Sequence, residues 1–204
     1  MAQEQTPKLF VALPKASLGE MVRNRYKFAA ACEQELIVFG ASRPGYSAQN
    51  VHDWIDFMKS QGIGRVCCLL PDTQLARYSD LLGIYREVFG IGQVCWAPIE
   101  DFQLAERETL LQKILPFLAT ADQLGEKVVV HCSGGIGRTG QVLAAWLVSG
   151  RGLSNSDAIA ATRRTGRNPY EAAIVALLKG RNPWKVVGEL NALLDDCRDA
   201  NRNE

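Results

Sequence analysis

Lys127-Val-Val-Val-His-Cys-Ser-Gly-Gly-Ile-Gly-Arg-Thr-Gly140 is the stretch that decides how this chain folds. It opens with a nearly unbroken apolar run, the pattern of a strand covered on both faces in the middle of a parallel sheet. Gly134, Gly135 and Gly137 then let the backbone curl tightly, and a helix is predicted from about residue 138 to 149. In open α/β sheets a strand, a glycine-rich turn and a helix in this order bind a ligand at the strand's carboxyl end, against the helix N-terminus. Successive N–H groups of such a turn point inward as an anion nest, and the helix adds partial positive charge at the same point. Cys132 ends the strand, and Arg138 follows six residues later with Thr139 beside it. A cysteine facing that nest is expected to be a thiolate nucleophile. The planar fork of Arg138 suits two oxygens of a tetrahedral anion.

Upstream of this stretch, residues 35–40 read as a short strand and residues 42–45 as a turn. Ser47 can cap a helix running to residue 60, with Val51, Trp54, Ile55 and Met58 at helical spacing. Gly62-Ile-Gly64 breaks it, and residues 65–70 form the next strand. One helix is predicted over 72–89 with Leu75, Tyr78, Leu82 and Tyr85 on one face, followed by a strand at 93–97 and a loop at 98–105. A helix over 106–118, bent at Pro116, leads into the central strand. Downstream, helices are expected over 154–164, 170–178 and 184–196, the first opened by a capping-box-like pair, Ser154 and Asp157. Residues 1–34 read as an N-terminal arm or lead-in and residues 35–204 as one globular domain. The fold class is α/β, with a central, mainly parallel sheet of four or five strands and helices on both faces.

Composition narrows the function classes. A net charge of +1 over 204 residues gives no global electrostatic case for nucleic acid or an anionic membrane surface. No apolar run of about 18 residues occurs, and residues 1–13 lack a basic region followed by an apolar core. A cytoplasmic protein without nucleic-acid or membrane partners is expected. Cys32, Cys67, Cys68, Cys95, Cys132 and Cys197 are too dispersed for a disulfide framework. Neither they nor His52 and His131 show paired metal-ligand spacing, so no metal and no organic cofactor is expected. Cys67 and Cys68, in an apolar run, read as buried packing, and Arg163, Arg164 and Arg167 as a solvated helix end.

His-Cys-x5-Arg-Thr, met in full by His131, Cys132, Arg138 and Thr139, is the signature of the Cys-based protein phosphatase superfamily. Leu69-Leu-Pro-Asp72 with Ala76-Arg-Tyr78, Trp96-Ala-Pro-Ile-Glu-Asp101, Gly152-Leu-Ser154 and Ala158-Ile159 follow in an order that resembles the dual-specificity phosphatases, those of kinase-associated type above all. The resemblance covers about residues 36–178 and makes residues 35–204 a phosphatase catalytic domain. It implies phosphoryl transfer to Cys132, with the phosphate cradled by Ser133, Gly134, Gly135, Ile136, Gly137 and Arg138. Sulfate- or vanadate-type anions should enter the same loop.

The resemblance also implies a general-acid Asp on a loop about thirty residues before the cysteine, and Asp101 lies 31 residues before Cys132. Glu100 competes, but backbone alternation past Pro98 keeps both from facing inward. Thr139 would stabilise the departing thiolate, His131 would orient the loop without donating a proton, and Asn168 is the candidate for positioning water. Arg23-Asn-Arg-Tyr26 is similar to a phosphotyrosine-recognition stretch of larger enzymes, an architecture for which this chain is too short. The loop interior lacks the lysines of phosphoinositide phosphatases, which favours phosphoproteins or phosphopeptides carrying phosphotyrosine, with phosphoserine or phosphothreonine also admitted. A phosphoinositide phosphatase is the alternative, as is a non-catalytic phosphate- or nucleotide-binding module. Gly135-x-Gly137-x-x-Gly140 is formally a dinucleotide fingerprint, but Asp157, where the ribose-binding acid is due, falls in a helical pattern. Arg138 stands where a Walker loop requires Lys.

Overall fold

Side chains alternate along a strand, so a strand covered on both faces must supply two cores at once. In the computed structural model, which describes residues 26–202, Val128 and Val130 enter one core while Val129 enters the other. Expectations for residues 1–25 lie outside the described residues.

The elements run β1 (Ala29–Ala30), β2 (Val38–Ser42), α1 (Ala48–Ser60), β3 (Ile63–Cys68), α2 (Leu81–Phe89), β4 (Val94–Trp96), α3 (107–124), β5 (Lys127–Cys132), α4 (Gly137–Arg151), α5 (Asn155–Arg164), α6 (Glu171–Leu178) and α7 (Pro183–Arg202). The strands form one sheet of order β1-β2-β5-β3-β4. The last four are mutually parallel, and β1 lies antiparallel on the edge against β2. Helices cover both faces: α1 and α2 pack with Ala41, Val66, Cys68 and Val129, while α3, α4, α5 and α7 pack with Val38, Cys67, Val128 and Val130. The α/β class, the sheet and its central strand are as the sequence indicated. Among the described residues no strand follows β5, so the second strand that a dinucleotide unit requires is missing.

Several local expectations are corrected. The strand expected at 35–40 begins at Val38 instead, because the buried Glu35 carboxylate folds back to accept the N–H groups of Ile37 and Val38 at 2.9 and 3.2 Å. β3 starts at Ile63, inside the expected break. The single helix expected over 72–89 is a lone turn, Asp72–Leu75, and then α2, because Asp80 caps the Gly83 N–H and restarts the helix. α3 runs past residue 118 to Leu124, where Gly125 closes it at φ 65°. The disturbance expected at Pro116 sits just upstream as a π-helical segment, Leu110–Ile114, where the register shifts before the residue that cannot donate. Ser154 does cap α5 through the Asp157 N–H, but the Asp157 carboxylate accepts the Ser154 hydroxyl rather than reaching a backbone donor.

Candidate active site

β2, β5 and β3 end side by side, with Ser42 opposite Cys132 and Cys68 opposite His131. The loop leaving β5 therefore turns back over the carboxyl edge of the sheet. Gly135 makes that turn at φ 68°, and a Cβ there would lie 2.6 Å from the backbone of Ala41 and Ser42. Neither the dihedral nor the space admits another residue. The Gly135 N–H consequently points into the loop and donates to Cys132 Sγ at 3.3 Å. No side chain caps the start of α4, so the N–H groups of its first turn are left for a ligand. Cys132, Gly135, Gly137, Arg138 and Thr139 are buried, Ser133 and Ile136 half-buried, and Gly134 exposed.

Arg138 is held from three sides. Its guanidinium donates to the Ile99 carbonyl at 2.9 Å, reaches Gln74 Oε1 at 3.4 Å, and pairs with Asp101 at 2.9 Å. Gln74 Nε2 completes the triangle with a 3.5 Å contact to Asp101. The loop carrying Asp101 is pinned to the core as well: Ile99 N–H bonds the Leu69 carbonyl, and the buried Gln141 accepts from Ala105 N–H and donates to the Gln103 carbonyl. Between these anchors Phe102 adopts φ 60°, strained for a residue with a side chain. Glu100 is exposed and outside the Arg138 triangle, with its neighbour Ile99 buried. Of the two acidic candidates, only Asp101 touches the anion-binding loop.

His131 is wholly buried, its Nε2 3.3 Å from the Tyr85 hydroxyl and its ring edge-on to Trp54 and Tyr85. Burial pushes its pKa down to about 3, so the ring is neutral, in keeping with an orienting part. The Thr139 hydroxyl is buried without a hydrogen-bond partner among the described residues. The Asn168 side-chain oxygen accepts the Tyr170 N–H at 3.2 Å.

Two arginines complete the site, and sequence reasoning missed both. Arg167 is 3% exposed, not a solvated helix end. It lies behind the loop and donates to the carbonyls of Gly135, Lys27 and Gly40 at 2.5, 2.6 and 2.7 Å. Arg163 and Arg164 are exposed as expected. Arg43 flanks the loop on the other side: its N–H bonds the Cys132 carbonyl at 2.9 Å, its Nε approaches Ser133 Oγ at 3.3 Å, and its guanidinium lies 3.8 Å above the Tyr46 ring. The only signal was the Ser42-Arg-Pro-Gly45 turn, which gives no hint of what its arginine reaches. Glu171 was also missed; its carboxylate packs so closely on Gly137 that a Cβ there would meet Oε2 at 2.0 Å. Three guanidinium groups and a helix terminus thus face one loop, with Asp101 the carboxylate that pairs with the most central of them.

The remaining cysteines are packing groups. Cys67 and Cys95 are register partners in adjacent strands on one face of the sheet. Cys68 lies on the other face, and burial pushes its thiol up to about 12. Among the described residues no cluster of His, Cys, Asp or Glu could hold a metal ion.

Comparison with known proteins agrees with this geometry. Residues 88–174 match the family model described as the dual specificity phosphatase catalytic domain. Protein 123R of Invertebrate iridescent virus 6, whose name calls it a tyrosine phosphatase, is 31% identical over 74 residues, 36% of this chain and 51% of the viral protein. The chain thus spans about half the length of that curated relative. Tk-PTP in its active form superposes with a TM-score of 0.58 at 28% identity, over 78% of this chain and 93% of its own. Kinase associated phosphatase, solved with its catalytic-site cysteine replaced by serine, has the same fold: TM-score 0.60, 22% identity, 82% of this chain and 88% of its own. In fold, and in the sequence of residues 88–174, the chain is similar to the dual-specificity phosphatases.

Proposed function

We propose that this chain hydrolyses phosphate monoesters through a phosphocysteine on Cys132, acting on phosphotyrosine in proteins and admitting phosphoserine or phosphothreonine. The observation that carries the reading is one arrangement: Cys132 Sγ faces the Gly135 N–H inside a loop that Arg138 closes, and Arg138 holds Asp101. In the first step the Cys132 thiolate attacks phosphorus in line, the bond from phosphorus to the leaving oxygen breaks, and Asp101 gives that oxygen its proton. In the second, water attacks the same phosphorus and Asp101 takes its proton. The sulfur–phosphorus bond then breaks, and the Thr139 hydroxyl meets the returning thiolate. The N–H groups of the loop and the Arg138 fork hold the equatorial oxygens throughout. The preference for phosphoproteins rests on a loop interior, Ser133-Gly-Gly-Ile-Gly137, without cationic side chains for further phosphates on a lipid headgroup.

The test is hydrolysis of para-nitrophenyl phosphate in excess EDTA. Cys132→Ser should abolish turnover, while Asp101→Ala should spare it, because that leaving group hardly needs a proton. On a phosphotyrosyl peptide, a poorer leaving group, Asp101→Ala should lose about 10²-fold or more. Absence of wild-type turnover on either substrate overturns the proposal.

A further inference from the structure

α6 is apolar on two faces, and the fold buries only one. Ala172, Ala173 and Ala176 pack inward. Ile174, Leu177 and Leu178, at the i, i+3, i+4 spacing of a single helical face, are 48%, 60% and 79% exposed. Trp184, in the first turn of α7, is 78% exposed on the same corner. Large apolar surface left in water marks a site of contact. The corner is built rather than loose: Gly180 turns the chain at φ 69°, its N–H bonds the Leu177 carbonyl, the Arg181 N–H bonds the Ala176 carbonyl, and the Trp184 N–H bonds Asn182 Oδ1.

Charge and shape select the occupant. Between Ala172 and Gly188 the chain carries Lys179, Arg181 and Lys185 and no acidic residue. Among the described residues no ion pair engages Lys179 or Arg181, and Lys185 meets Glu189 only at 3.9 Å, with both side chains exposed. A cleft that receives a peptide partly buries its own apolar side chains. Leucine and tryptophan nearly four-fifths exposed stand out from the surface instead, which suits insertion into a soft layer. Tryptophan and leucine at a headgroup boundary, with lysine and arginine close by in the chain to reach anionic groups, is the chemistry of an interfacial anchor. We propose that the α6–α7 corner docks the protein on anionic phospholipid surfaces.

The corner also adjoins the candidate site. Lys179, Arg181 and Lys185 line one groove of about 630 Å³ with Asp101, Phe102 and Glu189, so the cations of the corner lie next to the acid loop. The expectation of no membrane contact rested on a near-zero net charge and on the lack of a spanning run. Neither property registers a local corner of four apolar side chains and three cations.

The test is co-sedimentation of the full chain with vesicles of phosphatidylcholine alone and of phosphatidylcholine mixed with phosphatidylglycerol. The anionic vesicles should capture the protein far more strongly. Trp54 and Trp146 are already buried and the half-buried Trp96 is held away from the corner by its bond to the Leu70 carbonyl, so a blue shift of tryptophan emission on binding should vanish in Trp184→Phe. Joint replacement of Lys179, Arg181 and Lys185 by alanine should weaken capture roughly a hundredfold, about fivefold per cation. Leu178→Ala with Trp184→Ala should weaken it about tenfold or more. Hydrolysis of para-nitrophenyl phosphate without vesicles should be unchanged in all of these variants, which separates loss of docking from loss of folding. Equal capture by both vesicle types, no capture by either, or wild-type capture of the substituted chains overturns the proposal. So does binding of an acidic peptide to the corner in place of vesicles.

Discussion

Replacing Arg167 by leucine tests whether the anion-binding loop is propped from behind. The guanidinium donates to three backbone carbonyls, those of Gly135, Lys27 and Gly40. Hydrogen bonds from a charged donor contribute about 1.5–3 kcal/mol each, so three supply roughly 5–9 kcal/mol. Against this stands the cost of burying the cation, which takes its pKa from 12.5 to about 10, or roughly 3 kcal/mol at about 1.4 kcal/mol per pH unit. The surplus, roughly 4 kcal/mol, is what Arg167→Leu should remove from the unfolding free energy in a urea titration. Arg167→Lys, which keeps the charge but cannot reach three acceptors, should lose about half as much. Because one acceptor is the carbonyl of Gly135, whose N–H meets Cys132 Sγ, turnover should fall about tenfold or more under conditions where the variant is still folded. A leucine variant within about 1 kcal/mol of wild type and with wild-type turnover would refute the reasoning, since the three bonds would then contribute no more than the burial costs.

Gly135→Ala should fold with a loss of about 3 kcal/mol and turn over at least a hundredfold more slowly, because its Cβ would lie 2.6 Å from immovable backbone at a φ of 68°; wild-type turnover and melting temperature would sink that expectation. Asp101→Asn removes the carboxylate that occupies Arg138, so inorganic phosphate should inhibit residual para-nitrophenyl phosphate hydrolysis more tightly, by up to about fivefold for a half-exposed pair; unchanged or weaker inhibition counts against the competition. His131 has a folded pKa near 3 against 6.5 for the free side chain, so the unfolded chain binds the extra proton. Its contribution to stability is complete above about pH 6.5 and drains as pH falls towards 3, with roughly 2 kcal/mol gone at pH 5. Urea titrations across that range should show the slope in wild type and a flatter one in His131→Asn; parallel slopes would count against the burial argument.

What the sequence makes legible is what short-range chemistry decides. The strand–loop–helix unit at 127–140 reads correctly because apolar run, glycines and helical periodicity are adjacent in the chain, and each restricts the same backbone. Arg138 pairs with Asp101, and Cys132 Sγ accepts the Gly135 N–H within the same loop. Arg167 escapes because its acceptors lie 32, 127 and 140 residues away in sequence, and local composition makes a helix-end arginine look solvated. Gln74 and Gln141, which hold Arg138 and the acid loop, escape for the same reason: a glutamine has no periodic signature. The broken helix at 72–89 is a different failure. Its apolar spacing is genuinely helical on both sides of the break, but Asp80 offers a local cap that ends one register and starts another, and a cap outcompetes periodicity wherever both are available.

The pairing of Asp101 with Arg138 bears on how the proposed chemistry is ordered. A guanidinium fork binds one planar or tetrahedral anion well and two badly, so the carboxylate and an incoming phosphoryl group compete for the same donors. A dianion carries more charge into the nest of N–H groups than a half-exposed carboxylate can, and the field of Arg43, Arg167 and the α4 terminus favours it further. Arrival of the phosphoryl group therefore releases Asp101 from Arg138, and the freed carboxylate takes a proton from solvent before giving one to the leaving oxygen. The release needs little motion, because the acid loop is anchored at Ile99 and again at Gln103 and Ala105, leaving the short span through the strained Phe102 to swing. Strain held at that residue favours departure from the paired state without loosening the anchors. Substrate binding and positioning of the acid are then one event, driven by exchange of anions on a single arginine.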